Sequence, residues 1–264
     1  MDLLRMPLEQ LQMFVVVIAR IGAIFITAPV FNNRQVPLMV KAGLTFMTVM
    51  LIYGLIDRRG LLMPANLWGF SALIGREFLV GAIIGLTATF IFNGIQASGE
   101  LVGPQMGLNL DELFDPITGI EEGQGSLPGQ MYLLLGSLLF LQLDMHHWLL
   151  QVFCSSYDIV PLAGVRVGEP FLHKILAVGG EIFAIAIKLS APLFILLLML
   201  TLVMGIISKL IPDIEIMLLM MPVRIGVGVV VLALSLPFCA QMCKKLFVQM
   251  ETDVTTVLRL LGNG

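Results

Sequence analysis

Apolar positions dominate this chain in six runs, at about 11–31, 37–56, 67–96, 131–153, 182–208 and 214–239, with glycine, proline and charged residues gathered between them. Each run is long and rich in helix formers, so the pattern predicts six helices. A helix needs about 20 mostly apolar residues to cross a hydrocarbon core about 30 Å thick. The uncharged runs Leu189–Ser208 and Phe78–Gly99 reach that length, and Ile225–Cys243 nearly does. The other segments are interrupted: Arg20 cuts the first, Lys41 shortens the second, and Asp144, His146 and His147 stop the fourth. Lys188 and Arg224 stand near the N-terminal ends of the fifth and sixth.

A charge at the bilayer centre costs from about 3 to more than about 10 kcal/mol, depending on the scale. Lys188 can snorkel from a helix end, whereas Arg20 sits near mid-segment and gains less from that escape. The segments therefore read as membrane helices that prefer protein partners to lipid. Pro29, Pro37, Pro192, Pro212, Pro222 and Pro237 lie in or beside them. Each removes a backbone donor and bends a helix, a defect that neighbouring helices can repair in lipid. The tail 240–264 reads as a short amphipathic helix, with Leu246, Met250, Val254, Val257, Leu258 and Leu261 near one face.

Composition agrees. Of 264 residues, 58% are hydrophobic and 12% charged, with a mean hydropathy of +0.98. A soluble domain carries about twice that charge, so lipid or a large assembly must cover these side chains. The net charge of −3 and the lack of a basic stripe argue against nucleic acid. Cys154, Cys239 and Cys243 are too few and too uneven for a disulfide framework or a zinc site, and read as small packing residues. A signal peptide is not expected, because Arg20 splits the first run and no small-residue cleavage site precedes Pro29. With six spans, one side holds Arg5, Arg58, Arg59, Arg166, Lys174, Lys244, Lys245 and Arg259. The opposite loops hold Arg34 and Lys209, plus Lys41 if it counts as loop. The positive-inside rule then puts both termini in the cytoplasm.

One stretch differs in kind: GELVGPQMGLNLDELFDPITG, residues 99–119. No Lys or Arg occurs between Arg76 and Arg166, yet six acids fall from Glu100 to Glu122. Gly99, Gly103 and Gly107 recur every four residues and would make one smooth helix face. Pro104 is expected to break that helix, and Asp115–Pro116 favours a turn. Met106, Leu108, Leu110, Leu113 and Phe114 supply soft apolar bulk. The segment is expected to be either a solvated connector or a mobile plug inside a channel.

Enzyme signatures are absent: there is no HExxH, GxSxG, P-loop or GxGxxG. Neither catalysis nor a cofactor is expected. Asp144, His146 and His147 come nearest to a site. On a regular helix Asp144 and His147 share a face while His146 points about 100° away, so adjacent histidines would not chelate one metal. No metal is expected there; the trio reads as a helix end meeting water or a partner, with a proton relay as the other possibility. Arg76 and Glu77 open IGREFLVGAIIGL, where Gly81 and Gly85 form a small-residue face for close helix packing. The charges there are either interhelical or pore-lining contacts, or topology signals at the mouth of a span.

Taken in order, the residues resemble the FliR family, the T-type component of the type III secretion export gate of flagella and injectisomes. The matching pieces are Arg20…Ala28-Pro29-Val30, Val36-Pro37…Lys41, Arg76-Glu77-Phe78-Leu79-Val80-Gly81…Gly85 and Gly99-Glu100…Gly103…Gln105-Met106-Gly107…Asp115-Pro116. They continue with His146…Trp148-Leu149-Leu150, Ala191-Pro192 and Pro212…Met221-Pro222-Val223-Arg224-Ile225. Each piece is short, and their order and spacing over nearly the whole chain carry the resemblance. Two places depart from it. His147 stands where the family usually has an apolar residue, and Ile211–Ile216 replaces an amide-rich stretch.

The resemblance implies an all-α, polytopic helical membrane protein with kinked hairpins. Its expected parts are a FliP-like portion (1–180) with a plug loop at about 99–124, a FliQ-like hairpin (181–240) and an amphipathic C-terminal helix (241–264). It implies a channel-forming subunit in the bacterial inner membrane, at the flagellar basal body, with FliP-like, FliQ-like and FlhB-like partners and unfolded secreted proteins as substrates. The plug would include Gly99, Glu100, Gly103, Gln105, Met106, Gly107, Leu110, Phe114, Asp115 and Pro116. Arg20, Lys41, Arg76, Glu77, Lys188 and Arg224 would be inter-subunit or intra-assembly charges, the cations meeting partner carboxylates or carbonyls rather than acyl chains. The competing reading is a stand-alone secondary transporter with charges at a midplane site, drawing on Arg20, Arg76 and Asp144. Such folds usually show matched halves, and 1–130 and 131–264 show none. An intramembrane enzyme ranks third, because Asp144 is the one Asp deep in a segment.

Overall fold

A computed structural model describes residues 8–29, 36–54, 64, 66–107, 126–162, 164–210 and 216–263. Among these residues all regular structure is helical, in the order α1 (Leu8–Thr27), α2 (Leu38–Ile52), α3 (Leu67–Met106), α4 (Leu127–Gln142), α5 (Met145–Ile159), α6 (Glu169–Leu210) and α7 (Ile216–Asn263). The expected all-helical, polytopic class holds. Four helices are long and apolar enough to cross a membrane, or five if α4 and α5, bent by 70° at their junction, count as one broken span.

The boundaries depart from the sequence reading in four places. The third segment does not stop at residue 96 but runs to Met106, so Gly99, Glu100, Gly103 and Gln105 are helical. Pro104 sits inside the helix without ending it there. Pro104 removes one i→i−4 bond, and the helix closes one turn later at Gly107, with φ of 72° and its amide donating to the Pro104 carbonyl. The fourth segment is two helices, parted at Leu143–Asp144. Much of the expected 154–180 loop is helical, because α6 begins at Glu169. The tail is no separate helix but the end of the 48-residue α7, which continues through Pro222 and Pro237. The six-span count also changes: α2 has 15 residues, about 22 Å of helix, too short to cross about 30 Å of hydrocarbon. Conversely α3, α6 and α7, with 40, 42 and 48 residues, have contour lengths of about 60 to 70 Å.

The chain divides into two units, one of residues 1–90, 144–179 and 249–264, the other of 91–143 and 180–248. In the first, α2 returns antiparallel along α1. Phe14 meets Phe46 and Tyr53 edge-on at 5.8 and 5.6 Å, and Tyr53 donates to the Gln10 carbonyl. α3 lies against the opposite side of α1 through the expected small-residue face. A Cβ at Gly81 would overlap the Arg20 carbonyl oxygen, and one at Gly85 would overlap Thr27. Thr89 Oγ1 donates to the Thr27 carbonyl at 2.5 Å. Phe25 packs on Phe153 of α5. The end of α7 buries Met250, Val254, Val257, Leu258 and Leu261, the apolar face read from the tail.

The second unit packs around Phe92, Phe140 and Phe247, whose ring centroids lie 5.4 to 5.6 Å apart. A further buried cluster joins Val102 and Met106 of α3 with Leu193 and Leu197 of α6 and Leu232 of α7. Cys239 and Cys243 are buried free thiols, matching their reading as packing residues.

Candidate functional site

Two features stand out, one in each unit: a buried charge centre and the stem of the acidic segment. The first forms because α1 brings Arg20 against α3 where Gly81 permits backbone contact, and Glu77 lies one turn earlier on the same face of α3. Arg20 and Glu77 are both 0% exposed, and Arg20 Nε donates to Glu77 Oε2 at 2.6 Å. Arg20 Nη1 donates to the carbonyls of Ser156 at 3.1 Å and Val160 at 3.0 Å. Those oxygens lie at the C-terminal end of α5, where the helix dipole is negative. The Ser156 carbonyl also accepts from the Val160 amide at 2.9 Å, and Arg20 serves the C-cap carbonyl of Val160. The guanidinium carbon also sits 4.3 Å from the centroid of the Tyr157 ring. One cation thus ties together α1, α3 and α5 and compensates both a carboxylate and a helix terminus. Its carboxylate and carbonyl partners come from its own chain.

Sequence reasoning missed Ser156 and Tyr157, although the polar run Ser155-Ser156-Tyr157 within an apolar helix was the available signal. It also missed Lys174, whose ammonium lies 2.6 Å from Asp253, a residue only 3% exposed. Of the other expected charges, Arg76 and Lys188 are exposed and Lys41 half-buried. Arg224 is half-buried, and its Nη2 donates to Thr201 Oγ1 at 3.3 Å.

The second feature is the stem of the 99–124 segment. Gly99 is buried against the start of α4, where a Cβ would overlap the Pro128 carbonyl and Gly129. Ser126, the N-cap of α4, donates to the Gly99 carbonyl and accepts from the Gly129 amide, both at 3.2 Å. That is one hydroxyl serving a cap and a clasp. Glu100 is exposed and accepts from Gln96 Nε2 at 2.9 Å. Gly103 is buried and Gln105 half-buried. Met106, expected as plug bulk, is instead 0% exposed in the helical core of its unit, with Gly228 opposite its thioether. Leu110, Phe114, Asp115 and Pro116 lie outside the described residues.

Residues 11–250 match the family described as Bacterial export proteins, family 1. The chain belongs to this family. Similar proteins include the flagellar biosynthetic protein FliR of Pectobacterium carotovorum subsp. carotovorum, 29% identical over 93% of this chain and 92% of that protein. The FliR proteins of Escherichia coli K12 (29%; 86% of this chain, 85% of that one) and Bacillus subtilis 168 (28%; 94% and 95%) are similar over comparable lengths. The FliR-family assignment thus spans both features described above, from Arg20 through the loop stem to Phe247. It agrees with the resemblance read from the ordered pieces of sequence.

Proposed function

We propose that this FliR-family chain is a channel-forming subunit of a flagellar type III export gate in the bacterial inner membrane. It assembles with FliP-type and FliQ-type subunits beside an FlhB-type protein, and unfolded proteins pass through the shared channel. The observation that carries this reading is the mismatch between helix length and cover. In α6 large apolar side chains stay exposed from Leu172 to Leu210, and in α7 from Met221 to Val248. Phe183 and Leu234 remain 74% and 75% exposed. Helices of about 60 to 70 Å outrun the roughly 30 Å that lipid can cover. Much of that surface therefore needs protein neighbours, as a gate subunit has and a lone transporter lacks.

In this reading the part before residue 180 is FliP-like and the α6–α7 hairpin is FliQ-like. Both termini lie in the cytoplasm. The support for this orientation is the excess of Lys and Arg on the loops placed with the termini. The 99–124 segment closes the resting channel, with the Ser126 clasp holding the stem and the residues beyond Gly107 forming the seal. The transporter alternative would need Arg20 accessible to a solute, and Arg20 is 0% exposed.

Co-expression with FliP-type and FliQ-type subunits, extraction in mild detergent and native mass spectrometry test the reading. A defined hetero-oligomer is expected, and a stable monomer that ignores both partners would overturn it. Deleting 110–118 should leave that complex intact and raise ion conductance in cells. Unchanged conductance from a fully assembled deletion mutant removes the plug role.

A further inference from the structure

The junction of α4 and α5 holds a cluster that the regular-helix argument dismissed. Asp144 is the one non-glycine residue with positive φ among the described residues (φ 55°). From this left-handed position its side chain reaches the first turn of α5, where Oδ1 lies 3.4 Å from His147 Nδ1. The rings of His146 and His147, which would diverge by about 100° on an ideal helix, instead lie face near face, with centroids 4.1 Å apart and planes inclined by 38°. One ligand atom from each of the three residues falls within 4.8 Å of the other two. His146 Nδ1 is shut off from solvent and has no hydrogen-bond partner.

We propose that Asp144, His146 and His147 form a binding site for a divalent transition-metal ion that favours imidazole, zinc being the representative. Bonds of about 2.0–2.2 Å to nitrogen and oxygen in a tetrahedron place neighbouring ligand atoms about 3.3–3.6 Å apart. The Asp144–His147 spacing of 3.4 Å already falls in that range. Bringing in the third ligand needs a rotation of side chains that are free to move, since those of Asp144 and His147 are 76% and 64% exposed. Two imidazoles and one carboxylate select such an ion over magnesium or calcium, which prefer all-oxygen shells. A fourth position stays open to water or to a ligand from another subunit. Bound metal would hold Asp144 against the first turn of α5 and give His146 Nδ1 or its ring partner a role.

The test is zinc binding by the full-length chain in detergent, without a histidine tag, measured by competition with a chromophoric chelator. One saturable site is expected, unaffected by excess magnesium. His147→Gln and His146→Gln should each weaken it by more than about tenfold, the loss typical even of outer-shell partners. Asp144→Asn should weaken it too, while Asn tolerates the left-handed backbone and keeps the fold. His173→Gln should change nothing. The proposal fails if the wild-type chain shows no saturable zinc site. It also fails if zinc affinity survives His147→Gln in a monodisperse sample, or is abolished by thiol alkylation alone. Displacement of zinc by millimolar magnesium would equally overturn it.

Discussion

Replacing Glu77 by leucine would leave Arg20 buried without its carboxylate. Breaking a buried ion pair by removing one partner costs about 3–5 kcal/mol, because the remaining charge stays uncompensated. Arg20 would still donate to the Ser156 and Val160 carbonyls and lie over Tyr157. A desolvated cation–π contact contributes about 2 kcal/mol. Those residual partners place Glu77→Leu near the lower end, at about 3 kcal/mol, a change of more than about a hundredfold in the folded-to-unfolded ratio. With total stabilities of about 5–15 kcal/mol, that loss is large enough to read directly. The assay is denaturant unfolding in mixed micelles, followed by tryptophan fluorescence, since Trp148 lies in α5. The double variant Arg20→Leu/Glu77→Leu should be more stable than Glu77→Leu alone, because it removes the orphan charge along with its partner. A Glu77→Leu cost below about 0.5 kcal/mol, or a double variant as unstable as the sum of the singles, would refute the buried-pair argument.

Three further outcomes are expected. Gly81→Val should destabilise by about 1–3 kcal/mol or more through overlap with the Arg20 carbonyl, whereas Gly75→Ala, with nothing near its Cβ, should stabilise α3 by about 0.5–1 kcal/mol; equal effects in a thermal-shift comparison would contradict the close approach of α1 and α3. Phe140→Ala opens the ring cluster with Phe92 and Phe247 and should cost about 3–5 kcal/mol by the same unfolding assay. Arg224→Leu should reduce recovery of FliQ-type partners in a pull-down while the chain itself stays folded; unchanged co-purification would rule that role out.

Some of this architecture is legible one residue at a time. The small-residue face at Gly81 and Gly85 announces a close helix neighbour, and α1 occupies it. The apolar positions of the tail from Leu246 to Leu261 are the ones buried. Other features escape the pattern because they are decided at a distance. Pro104 does not itself end α3, which closes one turn later at the left-handed Gly107. Adjacent histidines look divergent on an ideal helix, yet their rings approach to 4.1 Å, and the left-handed Asp144 reaches back to His147. Met106 reads as a soft sealing residue from its neighbours in the chain, yet Leu193, Leu197 and Leu232 enclose it.

The sequence by itself determined the helical class, the need for cover beyond water, and the family, because periodicity, composition and ordered motifs are all properties of the linear chain. It also marked Arg20 as a charge that lipid could not hold. Only the tertiary structure decided that the counter-charge is Glu77, 57 residues away, and that the α5 terminus and Tyr157 complete its surroundings. A low-dielectric interior makes a buried cation demand a partner, but only helix packing, set here by the glycine contact between α1 and α3, selects which carboxylate is near enough to answer.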